Sequence, residues 1–435
     1  MRGVWSTLVL VLVLAGLLGY IYFVDARREP GDDREQAFAS VTADDIEEVR
    51  ITSASGETSR LTKTDGSWRL VEPVQTEADE NEISSITSSL ASLDIQRVVD
   101  ENPGDLKQYG LDPARLEVGF RSTGSTEERR ILIGEKTPTG GDLYARLPDQ
   151  PRVFLVSSFL DATFNKDTFA LRDKSVLEID RDAVDGVEIS TADRTIRLTK
   201  SGTDWRLAQP IAVRADFAAV EGSLERLSSA RMQGIVAPEG GDLKEYRLDP
   251  PIATFTAVSG SARASLLLGE TENALIYAKD ASRPIVFTVA PTLYTDLIRD
   301  VSEYRRKDLF DARSFTVTRA EFQREGQKVV LEKSSADGKD VWRDAAGKDV
   351  DSMTAEDLLS KVTALRADSF ESGTNPALKS PALTVTFQFD EKKTEQVTLA
   401  RAGSDVVASR SDEPGTAKLA PTAFDEVIKA LEEMK

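Results

Sequence analysis

The chain contains neither cysteine nor histidine. Together these absences exclude disulfides, thiol nucleophiles, Cys/His zinc sites, haem ligation by His and His-based acid–base relays. A bacterial lipoprotein anchor, which needs a cysteine, is excluded as well. The lack of cysteine suits either redox compartment. Also missing are the phosphate loops G-x-x-x-x-G-K-[ST] and G-x-G-x-x-G, the serine motifs G-x-S-x-G and S-x-x-K, and the calcium loop D-x-[DN]-x-[DN]-G. A conventional serine hydrolase is therefore not expected, and no cofactor is implied.

What is present is a chain of 435 residues, long enough for two to four domains, since single cores seldom grow past about 200 residues. The 74 acidic residues outweigh the 55 basic ones, and the net charge of −19 repels a phosphate backbone, so no nucleic-acid partner is expected. From Val4 to Val24 run 21 uncharged residues. At about 1.5 Å per residue they match a hydrocarbon core about 30 Å thick. Trp5 at one end and Tyr20 and Tyr22 at the other suit the membrane interfaces. Residues 1–28 are expected to form a single transmembrane anchor with short flanks, touching the membrane through residues 4–24. A cleaved signal peptide is the competing reading, because Val24-Asp25-Ala26 loosely meets the small-x-small rule, but signal-peptide cores run only about 7–15 residues. Arg27, Arg28 and Arg34 outnumber Arg2, a count that by itself favours the cytoplasm for the soluble part. Residues 29–42 lack apolar periodicity and read as a solvated tether.

The strongest signal is self-similarity. Lys63-Thr-Asp-Gly-Ser-Trp68-Arg69-Leu70 recurs as Lys200-Ser-Gly-Thr-Asp-Trp205-Arg206-Leu207, 137 residues on, and Trp342 lies another 137 residues beyond. Tyr109-Gly-Leu-Asp112-Pro113 answers Tyr246-Arg-Leu-Asp249-Pro250, and Ile131-Leu-Ile-Gly134-Glu135 answers Leu266-Leu-Leu-Gly269-Glu270. Arg172-Asp-Lys174 and Arg305-Arg-Lys307 close the two copies. The third copy keeps the tryptophan but has neither Tyr-x-Leu-Asp-Pro nor Leu-Gly-Glu. The expected domains are repeat units at 43–180, 181–312 and, degenerate, 313–435.

Within each unit, alternating segments such as Glu48–Thr52, Thr58–Lys63 and Trp68–Val71 predict an antiparallel meander. Ile83, Ile86, Leu90 and Leu93 then recur at helical spacing, as do Val220, Leu224, Leu227 and Leu358, Val362, Leu365. Asp79, Asp216 and Thr354 are the expected N-caps, with Glu82 and Asp357 completing capping boxes in the first and third. Further strands follow at 116–120, 130–133, 143–146 and 153–156, with a short terminal helix near Phe159–Phe164. This order predicts an α+β fold of three tandem β-rich repeats, each a mainly antiparallel sheet with one capped helix and a short terminal helix.

The recurring residues have structural readings. Trp68, Trp205 and Trp342, each on a strand after a tight turn, are expected in the core. Tyr109, Asp112, Pro113 and their counterparts Tyr246, Asp249, Pro250 are expected to start a strand after a turn, with Asp held extended before Pro. Gly134 and Gly269 are expected at a turn or bulge. The acidic clusters at 44–48 and 77–82 offer oxygen ligands for calcium, but solvated faces and helix starts account for them better. No carboxylate pair stands out as that of a glycoside hydrolase.

The motifs Trp-Arg-Leu-x-x-Pro, Tyr-Gly-Leu-Asp-Pro, Ile-Leu-Ile-Gly-Glu-x-Thr-Pro, Leu-Tyr-Ala-Arg and Leu-Arg-Asp-Lys, spanning Trp68 to Lys174, resemble the bacterial domain of unknown function 4340. The second copy resembles it less closely and the third in outline. The resemblance implies an inner-membrane, single-pass envelope protein with its repeats outside the cytoplasm, often encoded beside ABC transporters similar to those of gliding motility. It therefore implies a non-enzymatic accessory or scaffold subunit whose partners are integral-membrane transporter subunits. An extracytoplasmic glycan- or calcium-binding module and, behind it, a carboxylate-based glycoside hydrolase are the alternatives.

Overall fold

The computed structural model describes residues 35–434 apart from 273, 337, 338, 391 and 392. The expected membrane anchor lies outside them, and among the described residues no helix is long and apolar enough to cross a membrane. The chain divides into two compact units, one ending at Lys174 and the other running Ser175–Lys435.

The first unit holds one repeat. Its strands are β1 (Ile46–Thr52), β2 (Thr58–Thr64), β3 (Ser67–Glu72), β4 (Thr76–Glu77), β5 (Arg97–Asp100), β6 (Leu116–Ser122), β7 (Arg129–Lys136), β8 (Asp142–Arg146) and β9 (Val153–Ser157). Alternation buries Val49 and Ile51 of β1, Leu61 of β2, and Trp68 and Leu70 of β3 on one face. The β2–β3 turn is Asp65-Gly66, both at positive φ, the backbone that a tight hairpin matching strand twist demands. All nine strands form one antiparallel sheet in the order β4-β3-β2-β1-β6-β7-β8-β9-β5. Two meanders thus meet at the β1–β6 pair, and helix α1 (Glu80–Ala91) carries the chain from one edge strand to the other. Asp79 caps α1, accepting from the backbone N–H of Asn81 and Glu82, and Ile83, Ile86 and Leu90 bury its inner stripe. Short helices α2 (Phe159–Phe164) and α3 (Thr168–Leu171) complete the repeat.

The second unit holds two more copies. The first of them comprises β10 (Gly186–Thr191), β11 (Thr195–Ser201), β12 (Asp204–Gln209), β13 (Val213–Arg214), α4 (Phe217–Ser229), β14 (Gly234–Ala237), β15 (Ala253–Ser259), β16 (Ala262–Glu272), β17 (Leu275–Asp280), β18 (Val286–Val289), α5 (Pro291–Leu297) and α6 (Val301–Tyr304). The other comprises β19 (Val317–Arg324), β20 (Gln327–Ala336), β21 (Lys339–Arg343), β22 (Asp349–Val350), α7 (Ser352–Thr363), β23 (Ser369–Glu371), β24 (Leu383–Phe389), β25 (Lys393–Ala402), β26 (Asp405–Arg410), β27 (Thr416–Leu419) and α8 (Pro421–Glu433). Each is again a nine-stranded antiparallel sheet in the same order. The β-rich tandem architecture is therefore present three times.

Several local expectations need correction. The part of the expected tether that is described is docked on the sheet unit: Glu35–Gln36 pairs with Asp94–Ile95 and Phe38 is buried edge-on against Phe120, ring centres 4.8 Å apart, while residues 29–34 lie outside the described residues. The third helix is capped by Asp351 instead of Thr354, whose own N–H donates to it. The capping box expected at Asp79 is half made: Glu82 reaches instead to Lys166, at 2.7 Å. Leu309, Phe310 and Ala312, assigned by sequence to the second repeat, pack in the core of the third.

Gly222 sits mid-way along α4 with no heavy atom within 4 Å of where a Cβ would point. Gly222→Ala is therefore expected to stabilise the protein by about 1 kcal/mol, measured by urea denaturation of the full-length chain with circular dichroism detection.

Candidate functional site

The three recurrent tryptophans are buried. Trp205 donates its indole N–H to Glu221 at 2.9 Å, and Lys200 stands 5.4 Å above its ring. The other recurrent motifs converge within each of the first two repeats. The Tyr109 ring lies 5.0 Å from that of Tyr144, and Tyr246 lies 5.0 Å from Tyr277. The Tyr109 hydroxyl donates to Asp100 at 3.2 Å. Between β7 and β8, Ala145 faces Ile133 but Leu143 faces Lys136, so Gly134 and Glu135 form a bulge, and Gly269 and Glu270 do the same between β16 and β17. The carbonyl oxygen of Tyr109 lies well inside contact distance of where a Cβ on Gly134 would be, and Tyr246 is placed likewise against Gly269. Asp112-Pro113 and Asp249-Pro250 lie in turns a few residues ahead of β6 and β15. Both are cis and sit in tight turns closed by bridges from Leu111 to Ala114 and from Leu248 to Pro251.

The motifs therefore make one packing contact, loop carbonyl on strand glycine. The third repeat lacks both halves: Ala400 follows Leu399, and β25 and β26 stay in register from Val397 and Arg410 to Ala402 and Asp405. The acidic clusters are also largely engaged. Glu48 pairs with Arg121 at 2.5 Å, Glu77 with Arg69 at 3.0 Å and Asp79 with Lys174 at 2.9 Å, while Glu80 accepts from the Trp68 N–H at 2.9 Å. Among the described residues no three acidic side chains come together as a group able to hold a metal ion.

The densest concentration of charge lies in the second unit, where the end of one repeat meets the next. Arg410 of β26 is buried and holds Glu395 of β25 at 2.7 Å, Asp412 at 2.9 Å and the Leu309 carbonyl at 2.7 Å. Glu395 also accepts the N–H groups of Asp311 and Ala312, each at 2.9 Å. Arg214 of the edge strand β13 reaches Glu413 and Asp311, each at 2.7 Å. Arg305 stacks 3.9 Å from the Phe370 ring centre and faces Glu413 at 3.8 Å. Arg306 adds a second cation to Asp311 at 2.7 Å and Arg410 a third at 3.5 Å. Burial alone would raise the Asp311 pKa, but Arg214, Arg306 and Arg410 outweigh it and hold that carboxyl below its ordinary range. Asp412 is lowered in the same way, burial being overcome by Arg410.

The sequence marked this junction only through Arg305-Arg306-Lys307, read as the close of a unit. A comparison of matching strands adds a second signal. Where β26 and its following turn carry Arg410 and Glu413, β17 and its turn carry Asp280 and Arg283, which pair with each other at 2.9 Å, with Arg283 also donating to the carbonyls of Ser175 and Val176.

Beside the ion pairs opens a cleft of about 650 Å³. Its walls are β12 at Asp204 to Arg206, the start of α4 at Asp216 to Ala218, the linker from Arg306 to Arg313, and the β24–β25 hairpin at Phe389, Asp390 and Lys393. Phe217 is 55 % exposed there.

The profile of the family described as Domain of unknown function (DUF4340) matches residues 68–206 and, again, 205–383. Each match opens on a tryptophan strand, β3 or β12, and runs into the next repeat, and the second stops at the start of β24, leaving the last strands of the degenerate copy beyond it. No curated protein and no solved structure matches the chain.

Three outcomes are expected. Gly134→Ala, which drives a methyl into the Tyr109 carbonyl, should destabilise by about 2 kcal/mol or more, whereas Gly104→Ala, with open space around it, should not; thermal melts of the two variants compare them directly. Arg410→Met should cost about 3–5 kcal/mol by stranding buried Glu395, with part regained on adding Glu395→Gln. Because the Asp311 and Asp412 pKa values are lowered on folding, their contribution is complete above the unfolded value of about 3.9 and drains as pH falls through the folded ones. The stability gap between wild type and Arg410→Met, followed by urea titration at stepped pH, should therefore hold from neutrality to about pH 5 and shrink below about pH 4.

Proposed function

The chain belongs to the DUF4340 family, and on that footing we propose that it is a non-enzymatic, membrane-anchored envelope protein that serves as an accessory or scaffold subunit of an ABC-type transport system, its repeats on the extracytoplasmic side. The observation that carries this reading is how the charged side chains are used. Among the described residues, every carboxylate whose pKa departs from the ordinary range is lowered, as at Asp79, Asp161, Glu188 and Asp311. A glycosidase needs an acid held protonated near neutrality, and therefore a raised one. Here most of these groups pair with Arg or Lys and join strands, helices and repeats. Within the second unit these pairs join two sheets to each other, and stacked repeats of this kind supply binding surface for a scaffold.

Purification of the tagged full-length protein in mild detergent, followed by mass spectrometry, should recover integral-membrane transporter subunits with it. Repeated recovery of the protein alone would defeat the reading. Protease added to osmotically opened cells should degrade the repeats, and full protection would place them in the cytoplasm instead.

A further inference from the structure

We propose that the cleft beside the junction of the second unit is a carbohydrate site that takes a short, uncharged oligosaccharide. Its volume of about 650 Å³ lies within the range of small-molecule sites, about 300–1,000 Å³. The first argument is Phe217. It is the first residue of α4, directly after the cap Asp216, and it is 55 % exposed on the cleft wall. The matching positions after the caps Asp79 and Asp351 are Glu80 and Ser352, so the fold does not require an aromatic ring there. An exposed ring face is what the C–H face of a sugar stacks upon.

The second argument is the balance of polar groups. Five cations, Arg206, Arg214, Arg306, Arg313 and Lys393, line the cleft against five aspartates, 204, 216, 308, 311 and 390, so neither a simple anion nor a simple cation gains from entering. Arg214, Arg306, Asp308 and Asp311 are spent on one another and on the junction. Among the described residues Arg206, Lys393, Asp204 and Asp390 form no ion pair, so two cationic and two acidic side chains that line the cleft are not engaged in one. A sugar hydroxyl both donates and accepts, and such a mixed set satisfies it at both ends. Arg206 owes its freedom to register: it stands opposite Arg214, whose guanidinium turns away to Glu413 and Asp311.

This goes beyond the transporter reading and does not rest on it, because loss of sugar binding would leave co-purification untouched. The test is isothermal titration calorimetry of the full-length protein, in a detergent without sugar head groups, against maltotriose and triacetylchitotriose, with trigalacturonate, inorganic sulfate and a tripeptide alongside. Saturable heat with at least one of the neutral sugars is expected. Phe217→Ala should weaken that binding by about tenfold with an unchanged melting temperature, since the ring is exposed, and Lys393→Ala should weaken it as well. Silence of both neutral sugars at about 10 mM, undiminished binding by Phe217→Ala, or heat from sulfate, trigalacturonate or the peptide alone would each overturn the proposal.

Discussion

Each repeat depends on one strand pair. β1 with β6, β10 with β15 and β19 with β24 are the places where two meanders, each built from local hairpins, become one sheet. The partners are far apart in sequence, with the rest of the first meander, the helix and the opposite edge strand between them, so this contact carries a large closure entropy and forms late relative to the hairpins. Without it both meanders would present an open edge. The helix would also have no continuous floor on which to lay Ile83, Ile86 and Leu90, or their counterparts Val220, Leu224, Leu227 and Leu358, Val362.

Much of this was legible in the residues. Alternation located the strands to within a few positions, and the short helix expected near Phe159–Phe164 occupies those residues. Periodicity worked in the first meander of each repeat because one face of its strands is buried and the other largely wet, which forces apolar residues into every second place, whereas β9 and β18 are buried on both faces. The pairing of β1 with β6 and the crossing of the helix from edge to edge were not legible, because hydrophobic pattern specifies a face and not a neighbour. The third cap was misplaced for a related reason: Asp351 and Thr354 are both good caps, and only the end of β22 at Val350 decides between them.

At the candidate site the balance reversed. Trp68, Tyr109, Asp112 and Gly134 were conspicuous because they repeat: the tryptophan is a core residue of each sheet, and the first two sheets seat the same tyrosine loop on the same bulge. The residues that give the second unit its own character, Arg214, Phe217, Glu395, Arg410 and Glu413, do not recur and so raised no signal. The carbonyl of Tyr109 against Gly134 explains why the degenerate repeat lost two motifs together: once Ala400 straightened β25, the tyrosine loop had no seat.

The reversed charges at matching places, Asp280 and Arg283 on one repeat and Arg410 and Glu413 on the next, bear on assembly as well as on folding. Near-identical modules carry a hazard, since an edge that accepts one copy can accept the same face of another molecule and begin an open chain. Arg214 and Arg305 mark such an edge, and their acceptor is Glu413. The corresponding place on the sibling face is Arg283, so a second molecule offering that face would meet guanidinium with guanidinium. The seam thus carries a charge pattern that complements its own neighbour and opposes the sibling face.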